Sequence, residues 1–414
     1  MKYLFVACLL CLSVLSAVAK VPAMNKIRLT NNWEYLKGDL GGIWEAVRPA
    51  APGSSEAVPI WQPVTLPHCF NAEDAVDPDV NYYEGPGWYK TLLAIDNPYR
   101  NGRIVLDFDG AGQKTDVYVY TTHVGSHVGG YDSWNVDITD AVKAFLGSKD
   151  AKRFKGKVPL SIRCDNSRDL EMIPSDLADF NIYGGLYRYL NLVYLPEVSF
   201  EQIRLESSLS SNLKEGILKV KTSFYNPEDI RKADVTVSVY DVDRKPVFSK
   251  TLEGILPLGD QLLAEMKIKN PVLWDVDVPQ LYTCELTVKT PDQTFTTEER
   301  FGFRHTEFKD KGPFFLNGKR LLLRGTHRHE DHAGVAQAMT EDMMRREMRM
   351  MKDMGVNFIR LGHYQQSEII LDLCDELGIL VWEEIPWCRG GLGGDVYKKQ
   401  ARRMLANMIV QHHN

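Results

Sequence analysis

The sequence is poor in everything that would staple, ligate or anchor a chain. Its 414 residues hold seven cysteines, of which Cys8 and Cys11 fall in an N-terminal leader, and the other five form no Cys-x-x-Cys pair. The others, Cys69, Cys164, Cys284, Cys374 and Cys388, are odd in number and far apart, which argues against a disulfide framework or a structural zinc site. Their apolar surroundings suit small core residues. Basic blocks are missing too. With 49 Lys and Arg against 55 Asp and Glu, the net charge is -6 and the signs are intermixed, so nothing draws the chain to a phosphate backbone and no nucleic acid partner is expected.

Long apolar runs are confined to residues 4–15, short of the roughly 20 residues that span a bilayer. The run follows Lys2 and leads into Ala17-Val18-Ala19, a small-x-small pattern suited to signal peptidase. Residues 1–19 are therefore read as a signal peptide cleaved after Ala19. A lipoprotein box is not formed, since Phe5-Val6-Ala7-Cys8 comes before the apolar run is complete. The mature chain is expected to be secreted or periplasmic, with no transmembrane segment.

What is present suffices for several cores. Hydrophobic residues make up 44% of the chain and charged residues 25%, and domains settle at about 100–200 residues. Between about 20 and 197, short period-two runs alternate with turn residues such as Asn97-Pro98, Asn101-Gly102 and Gly129-Gly130. Val158, Leu160, Ile162 and Cys164 share one face of such a run and Ser161, Arg163 and Asp165 the other, which predicts an all-β jelly-roll sandwich. A second set of alternating runs carries Leu218, Val220, Thr222 and Phe224, then Val235, Val237 and Val239, then Tyr282, Cys284, Leu286 and Val288. Its extent, 198–302, suits an immunoglobulin-like sandwich.

From 303 the period changes. Asn317-Gly318 is a hairpin signal ahead of a strand at Leu321-Leu322-Leu323. A helix is expected from Thr340, with Glu341 and Asp342 at its positive end and Met344, Met348, Met351 and Met354 along one face. That methionine spacing is core packing, not a copper site. A strand at 358–360, a helix over 367–377 ended by Gly378, a strand at 380–382 and a helix over 397–411 follow. Strand–helix alternation predicts the opening of a parallel (β/α)8 TIM barrel. In such barrels the C-terminal ends of strands build the active site. Reactive residues gather at two such ends, in the run Arg324-Gly325-Thr326-His327-Arg328-His329-Glu330-Asp331-His332 and in Arg360-Leu361-Gly362-His363-Tyr364.

These motifs carry a resemblance. Asn357-Phe358-Ile359-Arg360-Leu361-Gly362-His363-Tyr364 with Asp375-Glu376-Leu377-Gly378 resembles the Asn-x-x-Arg-x-x-His-Tyr-Pro…Asp-x-x-Gly signature of glycoside hydrolase family 2, with Gln365 in place of the proline. Phe315-Leu316-Asn317-Gly318-Lys319, Arg328-His329-Glu330, Phe301-Gly302-Phe303-Arg304, Asp137-Ile138-Thr139 and Tyr183-Gly184-Gly185-Leu186-Tyr187-Arg188 are similar to further family stretches. The resemblance covers essentially the whole mature chain. It implies retaining hydrolysis of terminal β-linked sugars, β-galactosidase-like, with His329, His363, Asp179 and Arg360 as substrate-binding residues and a carbohydrate as partner.

It implies neither metal nor cofactor. Glu383-Glu384-Ile385-Pro386-Trp387-Cys388 lacks the glutamate and histidine that hold magnesium in the metal-dependent β-galactosidases, and Asp74, Asp77 and Asp79 are read as a solvated loop rather than a calcium site. Retaining glycosidases need two carboxyl groups across the scissile bond. The family carries the first in an Asn-Glu pair reached through an Asn-His-Pro stretch, and Gln411-His412-His413-Asn414 stands where that stretch begins. Residues 303–414 number 112, whereas a whole barrel takes about 250. Both catalytic carboxylates are therefore expected beyond Asn414 and the chain is expected to be inactive alone, as a truncated gene product, a split-gene half or a fragment. Glu383 and Glu384 do not replace the pair, because adjacent strand residues point apart. Two alternatives stay open: a carbohydrate-binding scaffold made of the two sandwiches, and a metal-binding amidohydrolase barrel built on His327-x-His329. An oligomer is possible.

Overall fold

Two β-sandwiches carry the opening of a parallel barrel in the computed structural model, which describes residues 26–49, 59–175, 178–227, 232–387, 389 and 392–413. The signal-peptide reading, Cys388 and Asn414 lie outside the described residues. No described helix is long and apolar enough to cross a membrane.

The first sandwich pairs a four-stranded sheet, in the order Lys26–Arg28, Leu190–Leu195, Arg103–Phe108, Trp134–Asp137, with a six-stranded one, in the order Gln62–Val64, Trp33–Lys37, Pro86–Leu93, Val158–Asp165, Lys114–Val119, Thr122–Val128. All these pairings are antiparallel. Ile104, Leu106 and Phe108 point into the core between the sheets, while Val105, Val193 and Leu195 join the core of the second sandwich. The four-stranded sheet is thus covered on both faces, which is why Leu190–Leu195 is buried at every position. Strand Val158–Asp165 departs in the same way from the one-sided pattern expected of it, since Ser161 on its polar face is also buried. The second sandwich places Ser199–Leu209, Glu215–Tyr225 and Gly259–Lys269 against Pro246–Ile255, Ala233–Tyr240, Tyr282–Lys289 and Thr294–Phe301. Every residue read from its alternating runs is buried.

The parallel sheet orders Gly325–Arg328, Phe358–Leu361 and Leu380–Glu383, with helices Glu341–Asp353 and Glu368–Leu377 as the crossovers. Its first strand corrects the sequence reading. Leu321-Leu322-Leu323 is not that strand, and Leu322 is 70% exposed. The register starts at Gly325 opposite Phe358, where a Cβ would meet the Phe358 ring at 2.8 Å. The lack of a side chain, not the leucines, admits the neighbouring strand. Thr340 caps the first helix by accepting from the Met343 N–H. Met344 and Met348 enter the core and Met351 packs against it, but Met354 follows the helix end and is exposed, so the expected stripe is one residue shorter. Ser367 caps the second helix, and Gly378 ends it in the left-handed region at φ 70°. The last helix, Asp395–Gln411, starts two residues earlier than the periodicity indicated. Cys69, Cys164, Cys284 and Cys374 are buried free thiols.

Sandwich and barrel meet on a buried ion pair. Arg188 and Glu330 are 2% and 0% exposed, with Nη2 and Nε of Arg188 at 2.7 and 2.9 Å from Glu330 Oε2. The guanidinium also donates to the carbonyls of Tyr131 at 2.9 Å and Gln365 at 2.6 Å, and Glu330 Oε1 accepts from the Ser367 N–H at 2.8 Å. On the other side of the seam, Asn407 donates to the buried Asp132 at 2.8 Å, which also pairs with His127 at 3.0 Å. Removing one member of a buried pair leaves an unmatched charge, at a cost of about 3–5 kcal/mol. Arg188→Met and Glu330→Gln are each expected to lower the thermal unfolding midpoint sharply and Arg188→Met/Glu330→Leu to recover part of it. Single variants no worse than an exposed-lysine control would rule out this role.

Candidate functional site

The C-terminal ends of the three parallel strands face a loop of the first sandwich. His327 lies in the first strand next to its last residue, Arg328, and His329 follows the strand end. Arg360 lies in the second strand and His363 just after it, and Glu384 follows the third. From the sandwich, the segment after Val158–Asp165 brings Asp179 and Phe180 to the same place. The Phe180 ring lies 5.8 Å from that of His329, 6.0 Å from His363 and 5.3 Å from Tyr364. Tyr364 in turn stacks on Tyr131 at 4.1 Å, which ties this aromatic wall to the buried seam. A cavity of about 820 Å³ opens here, with Asp179, Phe180, His329, Asp331, Tyr82 and Arg168 in its lining. Its size lies in the range of small-molecule sites.

The expected site residues differ in what they are free to do. His329 lines the cavity, and burial, followed by the fields of His327 and His363, lowers its imidazole to about 4. It is neutral at ordinary pH and offers one donor and one acceptor. Asp179 also lines the cavity, with Arg389 Nε at 2.9 Å from its carboxylate. His363 stands between Phe180 and Arg360. Arg360, expected to bind substrate, hydrogen-bonds three protein groups while its side chain stays 36% exposed. Its Nη2 donates to Glu384 Oε2 at 2.9 Å and to His363 Nδ1 at 2.9 Å, and its Nη1 to His327 Nδ1 at 3.0 Å. Burial would raise the Glu384 carboxyl, but the hydrogen bonds and positive charge of Arg360, with His363 adjoining, outweigh it and hold the group below the ordinary glutamate range.

Glu383 turns the other way. It pairs with His412 Nδ1 at 2.9 Å, so the adjacent glutamates do point apart. Asp331 accepts from the Tyr183 hydroxyl at 2.9 Å, and burial raises its carboxyl. In the acidic loop, Asp74 accepts from the Tyr83 N–H at 3.0 Å and faces Lys37, while Asp77 accepts from the Asp79 N–H. Sequence reasoning did not single out Phe180, and it weighed Glu384 only as a replacement catalytic carboxylate. Phe180 adjoins the singled-out Asp179, and that adjacency was the available signal. Nothing local distinguishes Glu384 from Glu383.

One group has metal-like spacing. The ring nitrogens of His327, His329 and His363 lie within 4.8 Å of one another. The Arg360 cation rests against two of the three rings, so the arrangement does not fit a bound cation as it stands.

Residues 40–196 match the sugar binding domain of glycosyl hydrolases family 2, 198–304 match glycosyl hydrolases family 2, and 307–401 match that family's TIM barrel domain. The chain belongs to this family. A crystal structure of Parabacteroides merdae β-glucuronidase with glycerol in its active site is similar to it at 99% identity and a TM-score of 0.94, over 96% of this chain and 51% of that one. Bacteroides fragilis β-glucuronidase is 32% identical over 85% of this chain and 51% of its own length. Thermoanaerobacter pseudethanolicus β-galactosidase is 28% identical over 92% of this chain and 49% of its own. The chain spans about half the length of these relatives.

If burial governs His329, its imidazole C–H resonances should titrate with a midpoint near 4. A midpoint at the free-histidine value of about 6.5 would show a solvated ring.

Proposed function

We propose that this chain is the sugar-holding part of a retaining β-glycosidase acting on terminal β-D-glucuronides. The observation that supports it most is the cavity lined by Asp179 and Phe180 from the sandwich and by His329 from the barrel, with His363 behind the Phe180 ring. A neutral imidazole and a carboxylate hydrogen-bond ring hydroxyls, and an aromatic ring packs against the apolar face of a sugar. The similar β-glucuronidases favour glucuronide over galactoside as the sugar class.

Chemistry needs a further pair of carboxyl groups about 5–5.5 Å apart. Glu384 is held by Arg360 and Glu383 by His412, so this pair does not supply it. The chain then binds sugar without turning it over. Assayed on 4-nitrophenyl β-D-glucuronide, the purified chain should release no nitrophenol above background, while calorimetry with D-glucuronate should detect binding. Phe180→Ala is expected to weaken that binding about three- to tenfold. Turnover by this chain would refute the division of labour, and absence of binding would refute the sugar site.

The leader read at residues 1–19 places this function outside the cytoplasm. N-terminal sequencing of the exported chain should begin at Lys20; an intact Met1 in the exported protein would contradict it.

A further inference from the structure

We infer that Arg360 is a positioning residue that fixes the tautomers of His327 and His363, holding the proton of each ring on Nε2 and keeping transition metals out of a three-histidine cluster. A guanidinium has donors only. It reaches Nδ1 of His327 at 3.0 Å and Nδ1 of His363 at 2.9 Å, so each Nδ1 must present its lone pair. In a neutral imidazole the proton then sits on Nε2.

Among the described residues, His327 Nδ1 has Arg360 as its hydrogen-bond partner and no competitor. At His363, Glu384 Oε2 lies 3.2 Å from the same nitrogen. Nη2 of Arg360 donates to both of these acceptors, at 2.9 Å each, and so supplies the proton their approach requires. Glu384 holds the guanidinium through Nε as well as Nη2, the two-point grip that fixes an arginine in plane. Gly362 keeps the His327 ring in position, since a Cβ there would meet its Nε2 at 2.3 Å.

Two consequences follow. The rings then carry Nε2–H groups, and that of His363, beside Phe180, is offered to acceptor oxygens of a bound sugar, a part of the inference that rests on the sugar-site reading above. They also lack the Nε2 lone pairs that a cation requires, although the three rings have metal-like spacing. Releasing Arg360 frees both Nδ1 atoms, lets the protons move there and leaves Nε2 open to zinc, which three imidazoles and water suit.

The test needs no turnover. In the chain labelled with [15N]histidine, long-range 1H–15N correlation should show Nε2–H tautomers for the two rings, identified by their loss in His327→Gln and His363→Gln. An Nδ1–H or doubly protonated pattern for His327 would overturn the inference. Titrated with Zn2+, the wild-type chain should show no stoichiometric uptake at this cluster. Arg360→Met should gain one equivalent bound at least about tenfold more tightly, and Arg360→Met/His327→Gln should lose it. Equal zinc affinity in wild type and Arg360→Met would also overturn it. Should Arg360→Met fail to fold, the wild-type tautomer measurement decides alone. Loss of sugar binding with Nε2–H tautomers intact would count against the functional reading only.

Discussion

The seam between the first sandwich and the barrel depends on one buried ion pair. Arg188 and Glu330 are shut away from water, a costly arrangement unless each charge finds its partner and each remaining donor an acceptor. Both conditions are met: the guanidinium spreads its bonds over Glu330 and the carbonyls of Tyr131 and Gln365, and the second carboxylate oxygen takes the Ser367 N–H. Because these bonds are directional, they fix how the two domains face each other in a way that apolar packing alone does not. Glu330 lies next to His329, and Arg188 follows closely on the segment bearing Asp179 and Phe180. The pair that joins the domains therefore also sets the distance between the two walls of the cavity.

Within the cavity a second charged pair has a different task. Arg360 and Glu384 balance each other and leave the surrounding imidazoles to be governed by burial. Burial lowers His327 and His329, so the site combines neutral rings with carboxylates. Donors and acceptors are thus both present, since a neutral ring carries one of each.

Much of this was legible in the sequence because it follows from burial on one face. Leu218, Val220, Val235, Val237, Leu286 and Val288 alternate since their strands bury one side, and Met344 and Met348 recur at helical spacing for the same reason. Caps at Thr340, Ser367 and Gly378 are equally local. The family resemblance placed His329, His363, Asp179 and Arg360 on the same short list; His329 and Asp179 line the cavity, His363 lies beside the Phe180 ring, and Arg360 bonds His327, His363 and Glu384.

The sequence by itself determined the order of two sandwiches and the opening of a parallel barrel, the caps at Thr340, Ser367 and Gly378, and the residues with reactive side chains, because each depends on neighbours within a few residues. Only the tertiary structure decided that the first barrel strand begins at Gly325, that Phe180 completes an aromatic wall, that Glu384 rather than Glu383 meets Arg360, and that Arg360 serves two histidines. Those outcomes depend on contacts between residues far apart in the chain, and such contacts exist only once docking has fixed the relative positions of rigid elements.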